Sequence, residues 1–171
     1  MTVPLARSSE EAHLYMELHP CACGEADLDA VSSVGRVDGD WISRYTGRCV
    51  ECRRERVFEF RQPEELAVPG EGAWAAGAQP SELLDAGEWL FVADAYGSAE
   101  TDAGPQVRTD LLAAAAALDE VLKFLPDGAD EVPESAFWSV RGRAVRAAEP
   151  GRFRRARLEA ARGVYRSAAD A

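Results

Sequence analysis

Four cysteines stand in two close pairs, Cys21-x-Cys23 and, after twenty-five further residues, Cys49-x-x-Cys52. Thiolates are soft metal ligands, and two pairs on tight turns supply the tetrahedral sulfur set that zinc favours, at about 2.3 Å per bond. Gly24 follows the first pair, where the chain must bend for backbone N–H groups to point at sulfur. Arg53 stands at that place after the second pair, and Arg53, Arg54 and Arg56 offset the negative charge of four thiolates. The C-x-C spacing leaves His19 as a competing ligand in place of Cys21 or Cys23. Four cysteines fill every position around zinc, whereas a catalytic zinc keeps one open for water or substrate. The expected role is therefore structural: one zinc ion per chain holds a β module of about fifty residues that is too small to hold itself.

Other reactive residue types form no such pattern. His13 and His19, the only histidines, are expected to pack or face solvent. Ser8, Ser32 and Ser33 lack the His and Asp partners of a nucleophile. The glycines follow neither a dinucleotide-binding nor a P-loop spacing. No catalytic or cofactor-binding residue is assigned, and the chain is not expected to be an enzyme. Trp41, Tyr45, Phe58 and Phe60 sit among Arg36, Arg44, Arg48 and Arg54. Such a set forms first a core with a polar rim, second a protein-binding face, and third a platform for single-stranded nucleic acid.

The elements around the cysteines follow from periodicity. Residues 12–18 alternate, with Ala12, Leu14, Met16 and Leu18 on one face, which predicts a strand. A short helix started by Ser8 or Ser9 is the competing reading, because Leu14 and Leu18 are also four apart. Residues 28–37 and 40–48 are predicted strands joined at Asp38-Gly39, a two-residue hairpin signal. Residues 55–61 form another, with Phe58 and Phe60 on one face. On His-Pro-Cys-Ala-Cys-Gly-Glu (19–25) and Arg-Cys-Val-Glu-Cys (48–52), the stretch from about 12 to 61 resembles a zinc ribbon. That resemblance implies two cysteine-bearing turns on a small antiparallel sheet; the remainder of the chain carries no resemblance.

Residues 62–80 are broken by Pro63, Pro69, Gly70, Gly72, Gly77 and Pro80 and are expected to link two modules. Beyond them the pattern is helical. Ser81 is predicted to cap a helix with Leu83, Ala86, Leu90, Ala93 and Tyr96 on one stripe, widened by Trp89 and Val92. Pro105 opens a second, with Val107, Leu111, Ala114, Leu118, Val121 and Leu125 in phase, ending at Pro126–Gly128. Pro133 and Pro150 are expected to start two more. In the last, Phe153, Ala156, Ala160 and Val164 are expected to face inward, with Arg152, Arg155, Glu159, Arg162 and Arg166 outward. Trp74 and Trp138 are expected to anchor the modules to one another. The fold class is α+β: a zinc-ribbon-like β module (1–62), a linker (63–80) and an acidic four-helix bundle (81–171).

The 171 residues carry a net charge of −11, unevenly spread. Residues 63–137 hold sixteen acidic and two basic side chains, whereas residues 138–171 hold nine arginines and three acids. The acidic segment disfavours phosphate backbones, and the arginines are expected to fold back onto it. The acidic clusters Glu64-Glu65 and Asp127/Asp130/Glu131 are expected to be solvated loops. No apolar run is long enough to span a membrane and residues 1–9 lack a signal-peptide pattern, which points to the cytoplasm. One Lys, one Ile and no Asn against eighteen Arg reflect GC-rich codons and a bacterial source. The function expected is protein–protein interaction, as a neutralising (immunity-type) or adaptor protein for a basic partner. The alternative is a nucleic-acid-associated zinc-ribbon regulator.

Overall fold

The computed structural model describes residues 3–65, 70, 73–98 and 105–171; Pro69 and Gly72 of the expected linker lie outside them. The chain divides into two compact units, Met1–Val68 and Pro69–Ala171. The described residues form a three-stranded antiparallel sheet and five α-helices, an α+β composition.

The first unit opens with a helix, α1 (Ser9–Leu18), where a strand was expected. Its spacing alone fits both periods, and the N-terminus decides between them. The Ser8 hydroxyl accepts from Glu11 N–H at 3.0 Å, and the Glu11 carboxylate reaches back to Arg7 N–H at 2.8 Å. The first bond satisfies a donor that the helix start leaves open, and the second ties the residue before the cap to the first turn. Glu11 is fully buried, and its charge is met by the Arg7 guanidinium at 2.6 Å. Strands β1 (Leu28–Val37), β2 (Asp40–Cys49) and β3 (Glu55–Arg61) follow in the order β1-β2-β3. Asp38 and Gly39 both take positive φ, 52° and 98°, and close the β1–β2 hairpin with Val37 opposite Asp40.

Tyr45 and Phe58 are cross-strand partners, and Phe60 beside them is buried. Tyr15 of α1 meets Phe58 and Phe60 edge-on, and His13 meets Tyr45 edge-on. The expected aromatic set thus splits: Tyr45, Phe58 and Phe60 pack beneath α1, whereas Trp41 is exposed with Arg36 over its ring. The chain before α1 runs along β3, where Arg61 donates to Pro4 O and accepts from Ala6 N–H.

In the second unit, α2 (Ala86–Gly97) is capped by Asp85, not by Ser81. The Ser81 hydroxyl instead accepts from the N–H groups of Leu83 and Leu84, ordering the turn before the helix. Of the predicted stripe, Ala86, Trp89, Leu90, Val92 and Ala93 are buried in the helix, Tyr96 is half-buried, and Leu83 is buried ahead of the helix. Helix α3 (Pro105–Leu122) begins at the expected proline and buries Ala114, Leu118 and Val121; Leu125 lies beyond its end. Pro133 and Pro150 introduce only short 3₁₀ turns, Glu134–Ala136 and Pro150–Phe153. Helices α4 (Val140–Ala148) and α5 (Arg155–Ala169) start later, α4 under the Ser139 hydroxyl. Within this unit α2 packs on α3 and α4, and α3 on α5.

The expected inner face of α5 is also corrected. Leu158 and Ala169 are buried, whereas Ala156 and Ala160 are exposed and Val164 is 65% exposed. Phe153 misled the phase, because it is buried in the 3₁₀ turn and not in the helix. Trp74 and Trp138 both make contacts inside the helical unit. Trp74 lies against Trp89 and Tyr96 and donates to Ala113 O, and Trp138 lies against Phe124. Arg141, Arg152, Arg162 and Arg166 pair with acids of the segment 63–137. Arg152 pairs with both Asp94 oxygens, at 2.5 and 2.8 Å, and Arg162 and Arg166 share Asp119.

Candidate metal centre

The first cysteine pair lies between α1 and β1, and the second between β2 and β3. Leu28, opening β1, pairs with Cys49, ending β2, so the antiparallel ladder draws the two turns together. One ligand atom from each of Cys21, Cys23, Cys49 and Cys52 lies within 4.8 Å of all the others. The sulfurs of Cys21 and Cys52, and those of Cys23 and Cys49, are 3.5 Å apart. A tetrahedron with sulfur arms of 2.3 Å has edges of about 3.8 Å, so small displacements seat an ion among the four. Cys21 and Cys49 are buried, and Cys23 and Cys52 face solvent.

The turns differ in length as their spacings do. Cys21 N–H donates to Glu25 O across the first, and Cys49 N–H donates to Arg54 O across the second, one residue longer. The C-x-C pair therefore presents both sulfurs without help from His19. That histidine stacks on Tyr15, its Nδ1 2.8 Å from the Tyr15 carbonyl, outside the cluster.

Backbone amides aim at the sulfurs. The N–H of Cys23 points at the Cys21 thiol and, with thiol hydrogen bonds in the cluster, lowers its pKa to about 6 against the opposing effect of burial. The N–H groups of Cys52 and Glu51 likewise hold the Cys49 thiol below its ordinary range. At Cys52 the Arg54 N–H favours the thiolate, but hydrogen bonding with Cys21, Cys23 and Cys49, together with burial, pushes the value up to about 11. Dipoles arranged this way stabilise thiolate, the form that binds a metal.

Arg56, expected as a charge-balancing residue, also has a positional role that its sequence context did not signal. Its guanidinium donates to the carbonyls of His19 and Ala26, on either side of the first cysteine turn, and lies over Phe58. It ties that turn to β3.

The other candidates stay apart. Ser8 caps α1, Ser32 and Ser33 are exposed on β1, and His13 packs on Tyr45. Among the described residues no helix is long and apolar enough to cross a membrane. No family model, curated protein or solved structure matches the chain, so the cysteine geometry carries the functional reading.

Proposed function

We propose that Cys21, Cys23, Cys49 and Cys52 hold one structural zinc ion in a zinc-ribbon-type unit of a non-enzymatic protein-interaction module. The convergence of four sulfurs from two turns of one sheet is the observation that carries this reading. The donor set fits zinc: four thiolates complete a tetrahedron and leave no position for substrate. Bound zinc supplies cross-linking of the two turns. The chain's own residues orient the sulfurs through the amides of Cys23, Glu51, Cys52 and Arg54.

The module acts in the bacterial cytoplasm, where reduced thiols are available to the metal. Its C-terminal helices form a small acidic four-helix bundle, and the partner is a basic protein that the chain neutralises or adapts. Exposed Asp127, Asp130, Glu131 and Glu134, in the segment between α3 and α4, support an acidic docking face. A nucleic-acid-associated regulator is the second reading, favoured by exposed Arg48, Arg53 and Arg54 around the second turn.

Affinity capture from native lysate tests the pair. Stoichiometric recovery of a basic protein, released by salt, supports the first reading. Nucleic-acid binding lost when Arg48, Arg53 and Arg54 become Glu supports the second and contradicts the first.

A further inference from the structure

The outer edge of β1 is unpaired. The sheet order places β1 at one side, and among the described residues no chain segment pairs with its free edge. By contrast, the outer side of β3 is met by the bridge from Leu5 to Arg61. Nine of the ten residues of β1 are exposed, including Val31 at 76%, Val34 at 61% and Val37 at 57%. Soluble proteins blunt such edges with proline, lysine, bulges or central charges. Leu28–Val37 has no proline, no lysine and an unbroken ladder to β2, with its only charges, Asp29 and Arg36, near its ends.

The hairpin sets which groups face outward. Val37 and Asp40 close a two-residue turn, so the odd-numbered residues of β1 exchange hydrogen bonds with β2. Val50 N–H donating to Asp27 O at 3.3 Å continues the same phase beyond the strand. Ala30, Ser32, Val34 and Arg36 therefore turn their amides and carbonyls to the open edge.

We propose that β1 is a homodimerisation edge, covered by β1 of a second copy in an antiparallel, two-fold register centred on Val34. A two-fold between antiparallel strands preserves the faces of the sheet, so each side chain lies opposite one on its own side. In this register Val34 meets Val34 on one face. On the other, Val31 meets Val37 and Val37 meets Val31, giving all three exposed valines apolar partners. Charges are not opposed: Arg36 faces Ser32 and Asp29 faces Gly39. The hairpin from Asp27 to Cys49 carries three arginines and four aspartates, so two hairpins bring little net charge to the seam. The product is a six-stranded sheet across the dimer.

Sedimentation velocity of the zinc-loaded full chain tests this. A dimer is expected, dissociating on dilution through the micromolar range (about 1 to 100 µM). Val34→Lys sets two ammonium groups against each other at the two-fold and is expected to weaken association about tenfold or more. Ser32→Pro removes one outward N–H without touching the β2 ladder and is expected to have a similar effect. Zinc content and circular dichroism report whether each variant keeps its fold. Amide exchange needs no variant: Ser32, Val34 and Arg36 are expected to gain protection as concentration rises. A chain that stays monomeric above about 100 µM overturns the proposal. So does a dimer in which those three amides exchange freely, or one that both folded variants leave intact.

Discussion

Gly24 and Arg53 occupy equivalent places in the two cysteine turns. Each follows the second cysteine of its pair, and each adopts a left-handed backbone, φ 97° at Gly24 and 60° at Arg53. Each also donates its N–H to the carbonyl of its pair's first cysteine, Cys21 or Cys49, at 2.8 and 3.0 Å. The first turn uses the residue suited to that conformation, and the second holds an arginine there against its steric preference.

Arg53→Gly is therefore expected to stabilise the zinc-loaded N-terminal unit by about 1 kcal/mol, and Gly24→Ala to destabilise it by at least as much. Urea unfolding at fixed free zinc checks both. The opposite signs distinguish backbone strain from loss of a surface charge.

Arg56→Ala removes the clamp between the first cysteine turn and β3 while sparing all four sulfurs. Zinc affinity is expected to fall by about tenfold, because the turn must then be ordered when the metal binds. Competition with a chromophoric chelator measures it. Arg54→Ala, which keeps the backbone amide at Cys52, is expected to change affinity much less.

The thiols predict a pH dependence of definite sign. Cys21 titrates at about 6 against an ordinary 9.0, so its contribution to the metal-free fold is complete above pH 9 and lost as pH falls through 6. Cys52, raised to about 11, contributes fully below pH 9 and loses that contribution as pH rises through 11. Cys21 is already largely thiolate at pH 7, so fewer than four protons leave per zinc bound there. Proton release is expected to rise by about one between pH 7 and pH 5, measured by calorimetry in buffers of different ionisation enthalpy.

The helical unit turns on Asp85. One of its oxygens caps α2 through Glu88 N–H at 2.9 Å, and the other accepts from Ser139 N–H at 2.7 Å, where α4 begins. A Cβ at Gly142 would overlap this carboxylate, and Gly87 packs directly on the Gly142 backbone. Asp85→Ala is expected to cost about 2 to 4 kcal/mol, and Gly142→Ala about 2 kcal/mol. Thermal unfolding followed by circular dichroism checks this, with zinc content unchanged.

The cysteine pairs, the Asp38-Gly39 hairpin and the three strands were legible in the sequence, because ligand spacing and period-two alternation are local signals. Residues 12–18 were ambiguous, because seven residues fit both periods. Ser8 and Glu11, spaced as a capping box, were the signal that separates helix from strand there. The α5 face was misphased because Phe153 is buried by a 3₁₀ turn that Pro150 induces. Tertiary arrangements such as Asp85 with Ser139, or Arg56 spanning His19 and Ala26, join residues too distant in sequence for any local pattern to show. The stacking of His19 on Tyr15, four residues earlier, depends on residues 12–18 being helical, so the strand reading hid it.

X-ray absorption at the zinc edge of the purified, metal-replete full chain tests the central claim most directly. One zinc per chain with four sulfur neighbours at about 2.3 Å is the expected result, and loss of that zinc from Cys49→Ser accompanies it. A folded chain that binds no metal, or a zinc shell containing nitrogen or oxygen in place of a sulfur, contradicts the account.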